Sequence, residues 1–176
     1  MSVTVAAIQM NSLDNLQNNL KQAEVLLEKA ANAGAKLAVL PENFAVFAAG
    51  MQIHTAQQMP LIQTWLAEQS LKHEIWLVAG SIPCLYRLDG QNVPQKKVRA
   101  CCLVYNPQGG LAGRYDKIHL FDASVADNQA QYQESATFEA GDEIVVIKTP
   151  FANIGLSICY DIRFPALYQA LRDKGA

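Results

Sequence analysis

The first forty residues commit the chain to a strand, a helix and a second strand in close succession. Residues 3–9 form a short apolar block with Val, Val, Ala and Ile, the pattern of a buried strand. Asn11 to Asp14 is polar and supplies N-cap candidates. Leu16, Leu20, Ala23, Leu27, Ala30 and Ala31 then recur at helical spacing, with Lys, Glu and Gln between them. Gly34 stands where such a helix needs a stop. Residues 37–40 are a second apolar strand, closed by Pro41. This βαβ unit argues for an α/β layered fold.

The remaining pattern extends that architecture. Residues 45–59 are irregular and carry little charge, the composition of a loop or short helix over a pocket. Residues 60–72 are helical by the placement of Leu61, Trp65, Leu66 and Leu71, and residues 75–80 are another apolar strand. Residues 84–88 and 98–105 read as two strands of a hairpin. Asn106-Pro107-Gln108-Gly109-Gly110 is a turn that leads into a strand over 111–115. Residues 121–143 are polar and aperiodic, which predicts a long surface loop. Strands follow at 144–148 and 152–158 around Thr149-Pro150, and a closing helix is expected over 165–173.

A length of 176 residues supports one substantial core and one domain, 1–176. The final helix repeats the character of residues 26–35, where a buried strand follows at once. Here no strand follows, and the expectation is a domain that is C-terminally incomplete.

Charge and cysteine usage exclude several function classes. A net charge of −2 without a basic stripe gives no footprint for nucleic acid. The N-terminus lacks a positively charged segment before its apolar block, and no apolar run reaches transmembrane length. Cys84, Cys101, Cys102 and Cys159 show neither C-x-x-C spacing nor a histidine cluster. Reduced thiols in a cytoplasmic protein fit better than a disulfide frame or a metal site. Cys101 and Cys102 are adjacent, so a strand would turn them to opposite faces.

Three polar residues stand just past apolar strands: Glu42, Lys117 and Cys159. Singly, each has an ordinary reading as a solvated carboxylate, a surface cation or a small core residue. Together they form a chemical set. A thiol attacks a carbonyl as thiolate, a carboxylate can take its proton, and an ammonium can stabilise the oxyanion that forms. Cys159 also sits at a strand-to-helix corner, before Tyr160, Asp161 and a helix-opening Pro165. Arg163 is placed to bind a substrate carboxylate or to form a salt bridge at the helix start. Asp161 reads as an acceptor for backbone N–H groups there. His119 reads as structural more readily than catalytic.

Leu40-Pro41-Glu42-Asn43, the run from Arg114 to Asp122 and the run from Ser157 to Pro165 resemble the motifs of the nitrilase superfamily of carbon–nitrogen hydrolases. The three lie in the family's order, and the resemblance spans the whole chain. It implies a four-layer αββα sandwich, with Glu42 as general base, Lys117 as transition-state stabiliser and Cys159 as nucleophile. It further implies that the Tyr160 N–H completes an oxyanion hole and that Glu134 is a second glutamate near the site. Lys-Ile-His-Leu-Phe-Asp at 117–122 looks most like the Nit branch of amidases, which act on small linear carboxamides such as deaminated glutathione or ω-amides. That branch uses no cofactor and no metal, and its members pair into homodimers or higher homo-oligomers through the helix after the cysteine.

Nitrile hydrolysis and N-carbamoyl amide hydrolysis use the same three residues and stay open alternatives, as does an inactive binding form. A Cys-His amidotransferase or protease would need a glycine-flanked cysteine elbow and a later histidine. No histidine follows Cys159.

Overall fold

The computed structural model describes residues 2–124 and 131–176. Strand β1 (Val5–Ala7), helix α1 (Leu16–Asn32) and strand β2 (Leu37–Val39) form the expected unit, with β1 and β2 parallel. Asn15 caps α1 by accepting the Asn18 N–H, and Gly34 closes it at φ +83°. A short helix α2 (Gln52–Gln57) precedes α3 (Met59–His73), and β3 (Trp76–Val78) then pairs parallel with β2. Strands β4 (Ile82–Cys84), β5 (Arg99–Tyr105) and β6 (Leu111–Asp116) complete a mixed sheet of six.

The registers explain why a rim forms. β5 runs antiparallel to β3 and to β4, which follow one another along one edge of it, while β6 pairs antiparallel along its other edge. β6 therefore points the same way as β2, and residues that follow these two strands emerge at one end of the sheet.

One face of the sheet is covered by α1 and α3. Leu20, Ala23 and Leu27 of α1 and Ile62 and Leu66 of α3 pack there against Ala38, Leu77 and Cys101. Across the other face lies an antiparallel pair, β9 (Val146–Lys148) and β10 (Asn153–Gly155). Ile147, Leu156 and Ile158 meet Leu37, Val78, Cys102 and Tyr115 in a second core. Cys101 and Cys102 do face opposite cores. Helix α4 (Pro165–Asp173) packs on the outer side of β10, where the Leu171 methyls stand 3.1 Å from the place a Cβ on Gly155 would take. The layers thus run α, β, β, α, the order the motifs imply.

Four expectations need correction. Residues 3–9 do not make a buried strand: β1 lies at a sheet edge, and Val5 is 54% exposed. The second arm of the hairpin is present as β5, but the first stops at Cys84, and residues 85–92 form a turn with an isolated bridge between Tyr86 and Asn92. The segment 121–143 is not all loop. Strands β7 (Asp122–Ser124) and β8 (Gln131–Gln133) pair antiparallel, and a 3-10 turn (Glu134–Ala136) follows. Its residues are polar and the pairing rests on backbone hydrogen bonds, so no hydrophobic alternation announces it; residues 125–130 of that stretch lie outside the described residues. Finally, β10 ends at Gly155, so Cys159 stands four residues past the strand.

Candidate active site

Glu42 is positioned by the bend between β3 and β4. After β2, the Leu40 N–H donates to the Val78 carbonyl, and the Asn43 N–H donates to Ser81 Oγ at 3.0 Å. Asn43 itself is left-handed at φ 53°, a conformation asparagine tolerates better than most residues. Gly80 makes this approach possible: a Cβ there would stand 2.0 Å from the Pro41 carbonyl oxygen. From α1, the buried Asn19 amide donates to the Leu13 and Ala45 carbonyls and so fixes the chain just past Glu42.

Lys117 follows β6 and is almost wholly buried, its side chain 2% exposed. Its N–H donates to the Ala100 carbonyl, and its own carbonyl accepts the Gly141 N–H. A buried ammonium is costly unless paired and hydrogen-bonded. Lys117 Nζ accordingly donates to both oxygens of Glu134, at 2.9 and 2.8 Å, and lies 4.0 Å from Glu42 Oε1. Glu134 is held in turn by the Phe121 N–H at 2.6 Å.

An ion-pair ladder anchors the segment that carries Glu134. Arg87 and Arg99 both bond Glu139, while Arg99 and Arg114 both bond Asp116, the neighbour of Lys117. The Glu139 N–H adds a backbone bond to the Val98 carbonyl. The paired Arg87 guanidinium, and then Arg99, hold the Glu139 carboxyl at about 2 against the cost of burial.

Cys159 opens a second 3-10 turn, Cys159–Arg163, in the left-handed conformation at φ 48°. Its neighbour Ile158 is still extended, so the thiol is presented where the chain turns sharply. Cys159 is exposed, whereas Cys84, Cys101 and Cys102 are buried. Lost hydration at the cleft, and then the negative charge of Glu42, raise its thiol above the usual range, while Lys117 pulls the other way. Glu42 and this thiol line the same hollow. Lost hydration and the neighbouring carboxylate both favour the protonated form of this thiol.

The structure brings Glu42, Lys117, Glu134 and Cys159 into one cluster. Tyr160 is the second residue of the turn, a position whose N–H has no carbonyl to bond within the helix. Its ring meets Phe121 and Phe164 edge-on. Arg163 is exposed at the end of the turn and, among the described residues, lines none of the hollows beside Glu42. His119 is turned to Asp161, with Nδ1 2.7 Å from Oδ1.

Two hollows receive these groups. One of about 320 Å³ is lined by Glu42, Glu134, Val46, Phe47, Met51 and Phe138, so residues 45–59 do cover a pocket. The other, about 290 Å³, opens between the two sheets and contains Glu42 and Cys159. The roles of Ser81, Gly80, Phe138 and the arginine ladder escape sequence reasoning, because each depends on contacts between segments far apart in the chain. Among the described residues no group of His, Cys, Asp and Glu side chains is arranged to hold a metal ion.

Residues 4–176 match the family profile described as carbon–nitrogen hydrolase. The chain belongs to the carbon–nitrogen hydrolase family. It is 37% identical to a deaminated glutathione amidase of Yersinia enterocolitica over 99% of its own length and 60% of that protein's. It is 34% identical to the human omega-amidase NIT2, again over 99% of this chain and 60% of the relative. Among solved structures, the Caenorhabditis elegans NitFhit protein superposes with a TM-score of 0.85 at 30% identity, over 98% of this chain and 41% of that one. Saccharomyces cerevisiae Nit3 superposes with a TM-score of 0.80 at 26% identity, over 99% and 61%. The chain spans about three fifths of the length of the curated relatives it matches.

Proposed function

We propose that this carbon–nitrogen hydrolase is an amidase that cleaves a small linear carboxamide to carboxylate and ammonia through a thioester on Cys159. The observation that carries the reading is the convergence of a buried Lys117 ammonium, a Glu42 carboxylate and an exposed, left-handed Cys159 at one rim. The relatives named deaminated glutathione amidase and omega-amidase favour ω-amides of that size.

In this reading Glu42 takes the proton from Sγ as sulfur bonds to the amide carbonyl carbon. The electron pair of the C=O moves onto oxygen, which faces the Lys117 ammonium and the Tyr160 N–H. A donor of this kind contributes roughly 3–4 kcal/mol to the transition state. The oxyanion collapses, the C–N bond breaks, and Glu42 returns its proton to nitrogen, releasing ammonia. Glu42 then deprotonates a water that attacks the thioester. The carboxylate product leaves as sulfur recovers its proton. Glu134 pairs with Lys117 and aims its ammonium, while Arg163, which lines none of the hollows beside Glu42, takes no part in these steps. No cofactor takes part in these steps.

Three buried thiols without a disulfide favour a reducing, cytoplasmic setting. Among the described residues no helix is long and apolar enough to cross a membrane. Ile162, 70% exposed, and Tyr168 give the turn and α4 an apolar outer surface, which favours homodimers or larger homo-oligomers.

The test is ammonia release from α-keto acid ω-amides and deaminated glutathione, with Cys159→Ala as control. Release that requires Cys159 supports the reading, and equal release by the variant ends it. Turnover of nitriles or N-carbamoyl compounds in preference to amides would move the substrate class within the same chemistry.

A further inference from the structure

Asp161 is fully buried, and its two oxygens receive four hydrogen bonds from the two segments that carry the nucleophile and the lysine. Oδ2 accepts the Tyr115 hydroxyl at 2.6 Å and the Ile158 N–H at 2.9 Å. Oδ1 accepts the His119 N–H at 2.9 Å and lies 2.7 Å from His119 Nδ1. Tyr115 and His119 bracket Lys117, two residues to either side, and Ile158 immediately precedes Cys159. Two further contacts close the same unit. The Tyr115 hydroxyl accepts the Ile118 N–H at 3.2 Å, and the His119 ring stacks on Phe164 with centroids 3.7 Å apart.

We propose that Asp161 is the positioning residue that sets Cys159 against Lys117 and Glu42, by joining the turn that presents the thiol to the strand end that presents the ammonium. This inference rests on the amidase reading for its kinetic consequence but not for its geometric one. The Asp161 carboxylate bonds the turn through the Ile158 N–H and the lysine segment through Tyr115 and His119.

The chemistry of the four donors explains why a carboxylate is needed. Each oxygen faces a backbone N–H, which can only donate. An asparagine would turn its NH₂ toward one of those N–H groups whichever way it was flipped. Both oxygens must therefore be acceptors, a condition that an ionised Asp meets and an Asn does not. The left-handed Cys159 also needs external restraint, since such a backbone persists only where surrounding structure over-determines it.

The experiment compares the unaltered chain with Asp161→Asn and Tyr115→Phe. Retention of fold is followed by circular dichroism, and the rate of Cys159 alkylation by iodoacetamide is followed against pH. Kinetic constants for ammonia release are measured alongside. For a folded Asp161→Asn variant, the alkylation midpoint falls toward that of an ordinary cysteine, about 8.5, as the thiol swings away from Glu42. Its kcat drops at least about 100-fold with KM changed less than about threefold, as expected when an oriented attack geometry is lost. Tyr115→Phe removes one donor and leaves the carboxylate in place. It lowers kcat roughly tenfold and moves the midpoint in the same direction, and it decides the matter if Asp161→Asn does not fold. An unchanged alkylation midpoint in a folded Asp161→Asn variant, or in Tyr115→Phe where the first fails to fold, overturns the proposal. If the unaltered chain releases no ammonia, the amidase reading has failed and the alkylation profile alone decides the role of Asp161.

Discussion

Lys117 and Glu134 form a two-point hydrogen bond, Nζ donating to both carboxylate oxygens at 2.9 and 2.8 Å, at the base of the cleft. The lysine is 2% exposed and the glutamate 16%. Glu134 comes from a segment with no hydrophobic pattern of its own, so the pair also pins that segment over the site.

Removing Glu134 leaves Lys117 with the more distant Glu42 as its carboxylate neighbour. Breaking a largely buried pair from one side costs about 3 kcal/mol. Glu134→Ala should show that loss in chemical denaturation, together with a kcat reduced at least tenfold. Glu134→Gln keeps one acceptor and should fall between the two. A Glu134→Ala variant as stable as the unaltered chain would show that the pair is not what holds Lys117.

Gly80 governs the placement of Glu42. With a Cβ 2.0 Å from the Pro41 carbonyl and φ at +56°, Gly80→Ala forces the Glu42 loop off the β3–β4 bend. Overpacking of this kind costs about 1–3 kcal/mol. The melting temperature should drop, and ammonia release should fall more than the remaining folded fraction accounts for. Gly90 has open space around it, so Gly90→Ala should leave activity unchanged and carry only the strain of its own positive φ.

Acid stability should reveal the arginine ladder. The folded Glu139 carboxyl is depressed to about 2 from its ordinary 4.5. A depressed carboxyl contributes stability that is fully present above its unfolded value and is lost as pH falls through the folded one. Denaturation midpoints should therefore decline between about pH 4.5 and 2, and Glu139→Gln should be flatter over that window. An equally steep decline in the variant would assign the acid sensitivity to other groups.

The thiol offers an independent reading of Glu42. Because the carboxylate raises Cys159, Glu42→Gln should lower the pH midpoint of iodoacetamide alkylation while abolishing turnover. At neutral pH the label should map to Cys159 and not to Cys84, Cys101 or Cys102, which are buried. A midpoint that rises on removal of Glu42 would place the carboxylate elsewhere in solution.

How far the sequence foretells this site depends on where each restraint comes from. The βαβ start, the α1 stop at Gly34 and the closing helix over 165–173 are local, carried by periodicity and caps within one stretch of chain. Glu42, Lys117 and Cys159 could be singled out because each follows an apolar strand, and the motif order supplied Glu134. That β2 and β6 share a direction, and so a rim, is a property of the β3–β5–β6 pairings, which no single stretch encodes. Asp161 could be expected to accept a backbone N–H, and it does accept that of Ile158. Its bonds to Tyr115 and His119 span more than forty residues and follow only from the folded packing. The exposure of β1 has the same origin: Val3 and Val5 are apolar, and nothing in their pattern says which face will be covered.

Intact-mass analysis of the protein during turnover tests the acyl-transfer mechanism itself. Acid quenching during hydrolysis of an ω-amide should reveal a species heavier by the acyl group, mapped by peptide digestion to Cys159. It should be lost on treatment with hydroxylamine and absent from Cys159→Ala, which should release no ammonia. Ammonia release with Cys159 unmodified throughout, or release by Cys159→Ala at the same rate, would contradict the assignment of Cys159 as the nucleophile.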